Sequence, residues 1–197
     1  MSTNAASNLN LRMTVYCALF TALIIIGGYV SIPIPVGPVP IVLTDFFVMV
    51  AGLFLGWKHG LVCVTLYVAL GTLGMPVFAG GSAGLAILFG PTGGYLFGYL
   101  LMVTVIGFIT SKMKPSAFTY LSALIIGNIL LYLVGVPWLK VVTNMSWAAA
   151  LAAGLTPFII GIVIKIAVAA ALARALLPRF KQALVSASIQ QADDGDE

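Results

Sequence analysis

The chain has 197 residues, 61% hydrophobic and 7% charged, with a net charge of +4 and a mean hydropathy of +1.15. A soluble domain carries about 25% charged residues, so this composition excludes an ordinary soluble protein and fits a chain whose outer surface meets lipid. Nine basic residues, scattered, make no nucleic-acid surface; four of the five acids lie in the last five positions, which leaves Asp45 as the only acid in the body.

A membrane span needs ~20 apolar residues, within about 17–25. The polar start, residues 1–11, carries no basic side chain, and the apolar run after Arg12 lacks a clear small-residue cleavage site. It reads as a retained first span, Met13–Ile32, rather than a signal peptide. Ala18 and Ala22 form a small-xxx-small pair on it; Gly52 and Gly56 form another further on. Such pairs serve internal packing or the docking of a membrane partner, and both roles are open here. "SIPIPVGPVP" (Ser31–Pro40) has four prolines in ten residues and predicts a stiff, extended loop. Ile41–Gly56 and Leu61–Leu73 predict a short second and third span around "WKHG". Thr92–Thr110 predicts a fourth, Phe118–Val136 a fifth, and Thr156–Leu177 a sixth. Leu85–Phe89 fits a short helix that does not cross, and Trp147–Ala153 a small apolar turn.

Charge placement supports six crossings. Arg12, Lys58 with His59, Lys112, Lys114, Arg174, Arg179 and Lys181 then share one side, and only Lys140 falls on the other. By the positive-inside rule the first side is cytoplasmic. The expectation is an all-α polytopic membrane protein with six transmembrane helices and both termini cytoplasmic. Residues 12–180 form one membrane domain between the polar tail 1–11 and an acidic tail, 181–197, expected to be disordered. The outward loops Ser31–Pro40, Met75–Gly84 and Val136–Asn144 are apolar, rich in proline or glycine, and nearly uncharged, which suggests a lid.

"GMPVFAGGSAGLAILFGPTGGY" (Gly74–Tyr95) holds seven glycines and no charge. A phosphate loop needs a lysine after its glycines and a preceding strand; "GPTGGY" has neither. Gly90, Gly94 and Gly98 share a helix face and predict close helix packing. Gly80, Gly81 and Gly84 precede it, where backbone N–H groups meet a ligand's oxygens or merely turn the chain.

Lys165 lies about 15 Å into the sixth span, where an ammonium costs on the order of 3 kcal/mol and is by default a functional group facing the bundle interior. Its alternatives are a structural ion pair with Asp45, a ligand carboxylate, or each in turn. Thr44 and Asn128 are candidate polar groups of the same cavity, although Asn128 equally fits a helix-joining role. Trp138, after Pro137, fits either an interfacial belt or the cap of a pocket. Cys17 and Cys63 lack metal-ligand spacing and read as small buried hydrophobes. No set of residues supports hydrolytic or metal chemistry, so neither an enzyme nor a cofactor is expected.

"GPVPIVLTDFFVMVAGLFLG" (Gly37–Gly56), "LGMPVFAGGSAGLAILFGPTGGYLFGY" (Leu73–Tyr99), "GVPWL" (Gly135–Leu139) and "TPFIIGIVIK" (Thr156–Lys165) together resemble the BioY family, the biotin-binding S components of energy-coupling factor (ECF) vitamin transporters. The resemblance runs in order from Leu11 to Leu177. It implies a six-helix protein that captures biotin at its outer face and works with a membrane coupling subunit and two ATPases. It also implies that Lys165 helps hold the ligand and that the loop Phe78–Gly84, with Phe78, Gly80, Gly81, Ser82 and Gly84, closes over it. Tyr95 and Trp138 fall in matching segments beside that site, and Ala18 and Ala22 match the face that meets the coupling subunit. The chain departs from the family at Ile162, where an Asp is usual, and at Thr44-Asp45, where Gln followed by Thr or Asn is common. Asp45 is expected to replace the carboxylate lost at Ile162. Two other readings are a solitary biotin permease and a ligand-free structural membrane subunit.

Overall fold

In a computed structural model, residues 2–35 and 37–193 are described. Helix α1 (Ser2–Tyr29) leads through two short paired strands, β1 (Ser31–Ile32) and β2 (Ile41–Val42), into α2 (Thr44–Thr72). A short α3 (Leu85–Phe89) precedes α4 (Gly93–Lys112) and α5 (Ala117–Thr143); α6 (Trp147–Gly154) and a 3-10 turn, Thr156–Phe158, lead to α7 (Ile159–Asp193). Among the described residues, five helical stretches are long and apolar enough to cross a membrane.

Helix α2 covers the second and third expected spans and bends sharply at Gly56, whose φ of 71° and ψ of −176° no helix contains. The two arms, 44–55 and 57–72, fold back on each other. A Cβ on Gly60 would lie 3.5 Å from Gly52 Cα, whereas eight residues of straight helix separate them by about 12 Å. Only glycine holds this left-handed turn without strain. The bend brings Thr44 and Tyr67 onto one cavity.

Helix α5 corrects one expectation. It runs through Pro137 to Thr143, so Val136–Asn144 is helical almost throughout rather than an outward loop. Proline removes one N–H from a helix without forbidding it. Asn144, at φ 55° and ψ 29°, ends it in the left-handed conformation that asparagine tolerates. The expected turn at Trp147–Ala153 is the helix α6, capped by Ser146 Oγ, which accepts from Ala149 N at 3.2 Å. Helix also extends into both polar tails, from Ser2 and to Asp193; the acidic residues Asp194, Asp196 and Glu197 lie outside the described residues.

Glycines set the helix spacing. Gly98 lies against Leu131 and Gly94 against the Trp138 ring, so these two of the three predicted glycines pack α4 on α5; Gly90 lies before α4, against Ala86 and Ile87 of α3. Gly52 meets Ile106, and Gly107 sits directly on the α2 bend. Close approach of this kind is how helices associate in lipid. The interior holds Ile24, Val48, Met49, Tyr67, Met102, Ile106 and Leu124, all fully buried, together with the buried free thiols Cys17 and Cys63. Leu11, Val15, Phe118, Ile160 and Val163 face outward, as lipid contact requires.

A Cβ on Gly107 would lie 2.3 Å from Trp57 N and 2.4 Å from Gly56 C, both backbone atoms of the bend. Gly107→Ala therefore lowers the thermal midpoint of the purified protein by several degrees, reflecting about 1–3 kcal/mol of overpacking. Gly161→Ala, with nothing within 4 Å, leaves the midpoint unchanged or raises it slightly.

Candidate functional site

The start of α2, the second turn of α7 and the loops at one end of the bundle enclose a cavity of about 370 Å³. That lies at the small end of the ~300–1,000 Å³ range of ligand pockets. Pro38, Val39, Pro40 and Val42 line it from the first loop; Phe78, Ala79 and Ser82 line it from the second. Tyr67, Tyr95, Tyr99 and Tyr132 form aromatic walls, closed by Leu96, Leu131 and Phe158.

One ion pair charges this largely apolar space. Lys165 Nζ donates to Asp45 Oδ1 at 2.7 Å and Oδ2 at 2.9 Å, and to the Val42 carbonyl at 2.6 Å. Both side chains line the cavity and are nearly buried, 11% and 7% exposed. Asp45 sits in the first turn of α2, where the helix dipole favours a negative charge. The structure thus shows the ion pair that the sequence left as one of three options.

Thr44 Oγ1, buried in the cavity wall, has the Tyr67 phenol beside it as its one polar side-chain neighbour and makes no well-formed hydrogen bond among the described residues. A buried hydroxyl without a partner costs stability until something satisfies it.

Phe78 is buried: its ring lies on the bare backbone of Gly71 and edge-on to Tyr67 at 5.4 Å. This contact, a hydrogen bond from Gly84 N to Gly71 O at 2.7 Å, and one from the Tyr29 hydroxyl to the Pro76 carbonyl hold the second loop down. Gly80 and Gly81 adopt positive φ of 64° and 79° and Gly84 100°. These three glycines shape the turn, while Phe78, Ala79 and Ser82 supply the cavity wall. The Gly81 N–H is committed to Phe78 O at 2.9 Å.

Other candidates lie elsewhere. Tyr95 lines the cavity with its ring, while its hydroxyl donates to Gly154 O at 2.7 Å and ties α4 to the end of α6. Trp138 packs over Gly94 and donates from Nε1 to Gly90 O at 3.0 Å, locking the turn between α3 and α4. Asn128 is buried and donates to Leu124 O and Met49 Sδ; it faces a second, apolar groove between α5, α6 and α7. Ile162 lines that groove too and is absent from the cavity wall, so the structure does not place position 162 opposite Asp45 in one cavity. Ala18 and Ala22 are exposed on α1.

Sequence reasoning missed two kinds of contributor. Tyr67, Tyr99 and Tyr132 carry phenols in the middle of apolar helices, a signal because a buried phenol seeks a polar environment. The Val42 carbonyl has no side-chain signature; only the β1–β2 pairing and the turn after it aim it at Lys165.

The chain's residues 1–182 match the family model described as BioY family. It is 40% identical over 163 residues to the biotin transporter BioY of Thermotoga maritima, covering 83% of this chain and 94% of that protein. It is 36% identical to the biotin transporter BioY of Rhizobium etli, over 84% of this chain and 93% of the relative. Its fold matches the crystal structure of the S-component for biotin from an ECF-type ABC transporter with a TM-score of 0.80 and 35% identity, covering 86% of this chain and 92% of that one. Helical architecture, membrane-length apolar helices and relatives across almost the whole length agree: this is a multi-pass membrane protein of the BioY family of biotin transporters, and not an enzyme.

Proposed function

We propose that the chain is a biotin-capturing S component of an ECF-type importer, and that the Lys165–Asp45 cavity is its vitamin site. The observation that carries this reading is the one ion pair inside an otherwise apolar, tyrosine-walled cavity of vitamin size. Biotin offers an apolar thioether ring for the aromatic walls, a ureido group for the buried Thr44 hydroxyl and Ser82, and a carboxyl terminus for Lys165. Gly80, Gly81 and Gly84 give the second loop the backbone freedom to open, and with Pro38–Pro40 that loop serves as the lid.

The same reading takes the two arms of α2 as separate crossings. That makes six in all, with both termini cytoplasmic and the cavity at the outer face. The partners are a membrane coupling subunit and two ATPases, which supply the energy this chain has no motif to extract. Ala18 and Ala22 stand exposed on α1 among Val15, Leu19 and Ile26. This smooth apolar strip suits a partner helix and favours the partnered importer over a solitary permease.

Biotin at about 100 times its Kd stabilises the purified protein by about 2.7 kcal/mol, which appears as a raised thermal midpoint; no rise would reject the assignment. Lys165→Ala weakens biotin binding at least ~30-fold in equilibrium titration, the low end of the cost of truncating a buried charged partner. Unchanged affinity would remove the site from this cavity. Ala18→Trp keeps biotin binding in the purified chain but loses co-purification with the coupling subunit; intact assembly would rule out that face.

A further inference from the structure

Lys165 has no proton to spare. An ammonium carries three donors, and all three are taken: one by Val42 O and two by the oxygens of Asp45. The pair is neutral, and no other Lys, Arg, His, Asp or Glu lines the cavity among the described residues. The remaining titratable groups around Asp45 are the phenols of Tyr67 on the second arm of α2, Tyr95 and Tyr99 on α4, and Tyr132 on α5. The loops and α7 contribute none beyond Lys165.

A cargo carboxylate entering this space adds a second anion to a site whose single cation is already satisfied. Two carboxylates beside one ammonium, away from water, repel each other. A terminus that is uncharged, and both donates and accepts, fits without that conflict. Its N–H or O–H donates to an Asp45 oxygen while its C=O accepts from Lys165, which replaces one internal bond by two new ones. From this geometry we infer that Asp45 is a specificity-determining residue. It sets the cavity to take the vitamin with an un-ionised terminus, as a primary amide or as the acid carrying its proton, in preference to the bare carboxylate. The inference rests on the reading that biotin is the cargo, and it names the form of cargo the site selects.

The test is equilibrium binding of biotin and of biotinamide, the isosteric uncharged analogue, to the purified full chain at neutral pH. The same pair of titrations is then made with Asp45→Asn. The wild-type protein is expected to bind biotinamide at least as tightly as biotin, because most of the free acid is ionised. Asp45→Asn frees the cation and is expected to shift the ratio of affinities toward the acid by tenfold or more. A ratio of affinities is insensitive to a general loss of folded protein. If the variant does not fold, the wild-type comparison decides alone. Biotin binding with a weaker amide in the wild type overturns the inference and leaves the biotin site intact, as does a shift of less than tenfold in a folded variant. Failure of both ligands to bind the wild type overturns the biotin reading itself.

Discussion

A positive charge held at lipid depth has to be neutralised inside the protein. Lys165 meets that demand by reaching from α7 across to the beginning of α2, where one carboxylate and one carbonyl converge on it. Two separate pieces of chain are joined by this cluster: the β2–α2 segment, which presents Val42 O and, three residues on, Asp45; and α7. Removing either charge strands the other in a cavity with little water, and an unpaired buried charge is among the costliest defects a fold can carry. Among the described residues, the same pair gives the cavity its only formal charges.

The helix bundle and the loops around the cavity are held together in different ways. Glycines at 52, 94, 98 and 107 let α2, α4 and α5 approach to backbone distance. In lipid, where apolar side chains gain nothing by hiding from water, this close packing is what holds helices together. The loops around the cavity are held differently. Phe78 on Gly71 and Tyr67, Tyr29 on Pro76 and Gly37 against Ala153 pin these short segments to the helices.

Much of this was legible in the residues. An isolated Lys165 in an apolar run and one Asp in the body leave few partners for a buried ammonium, and the structure joins the two. The spacing of Gly90, Gly94 and Gly98 predicts a tight helix face; Trp138 and Leu131 occupy it at Gly94 and Gly98, while Gly90 belongs to the turn before α4. The unread parts share a cause: they depend on where backbone goes in three dimensions. Gly56 appeared as half of a packing pair, yet its positive φ turns α2 back on itself and brings Tyr67 to the cavity. Pro137 was read as a helix end because proline usually stops helices, but α5 continues past it. Asn128 fits either the cavity or a helix-joining role by sequence, and its Nδ2, donating to Met49 Sδ, joins α5 to α2. Trp138 was a candidate cap; its indole N–H instead satisfies the Gly90 carbonyl.

The central claim is that Asp45 and Lys165 act as one unit in the unliganded protein. It is tested most directly by a double-mutant cycle of stability, comparing Lys165→Ala, Asp45→Ala and the double variant in detergent without biotin. The account predicts that each single change is strongly destabilising, and that the double variant loses less than their sum by at least about 1 kcal/mol. Losses that add to within about 0.5 kcal/mol would show that the two charges stand independently and would contradict the account.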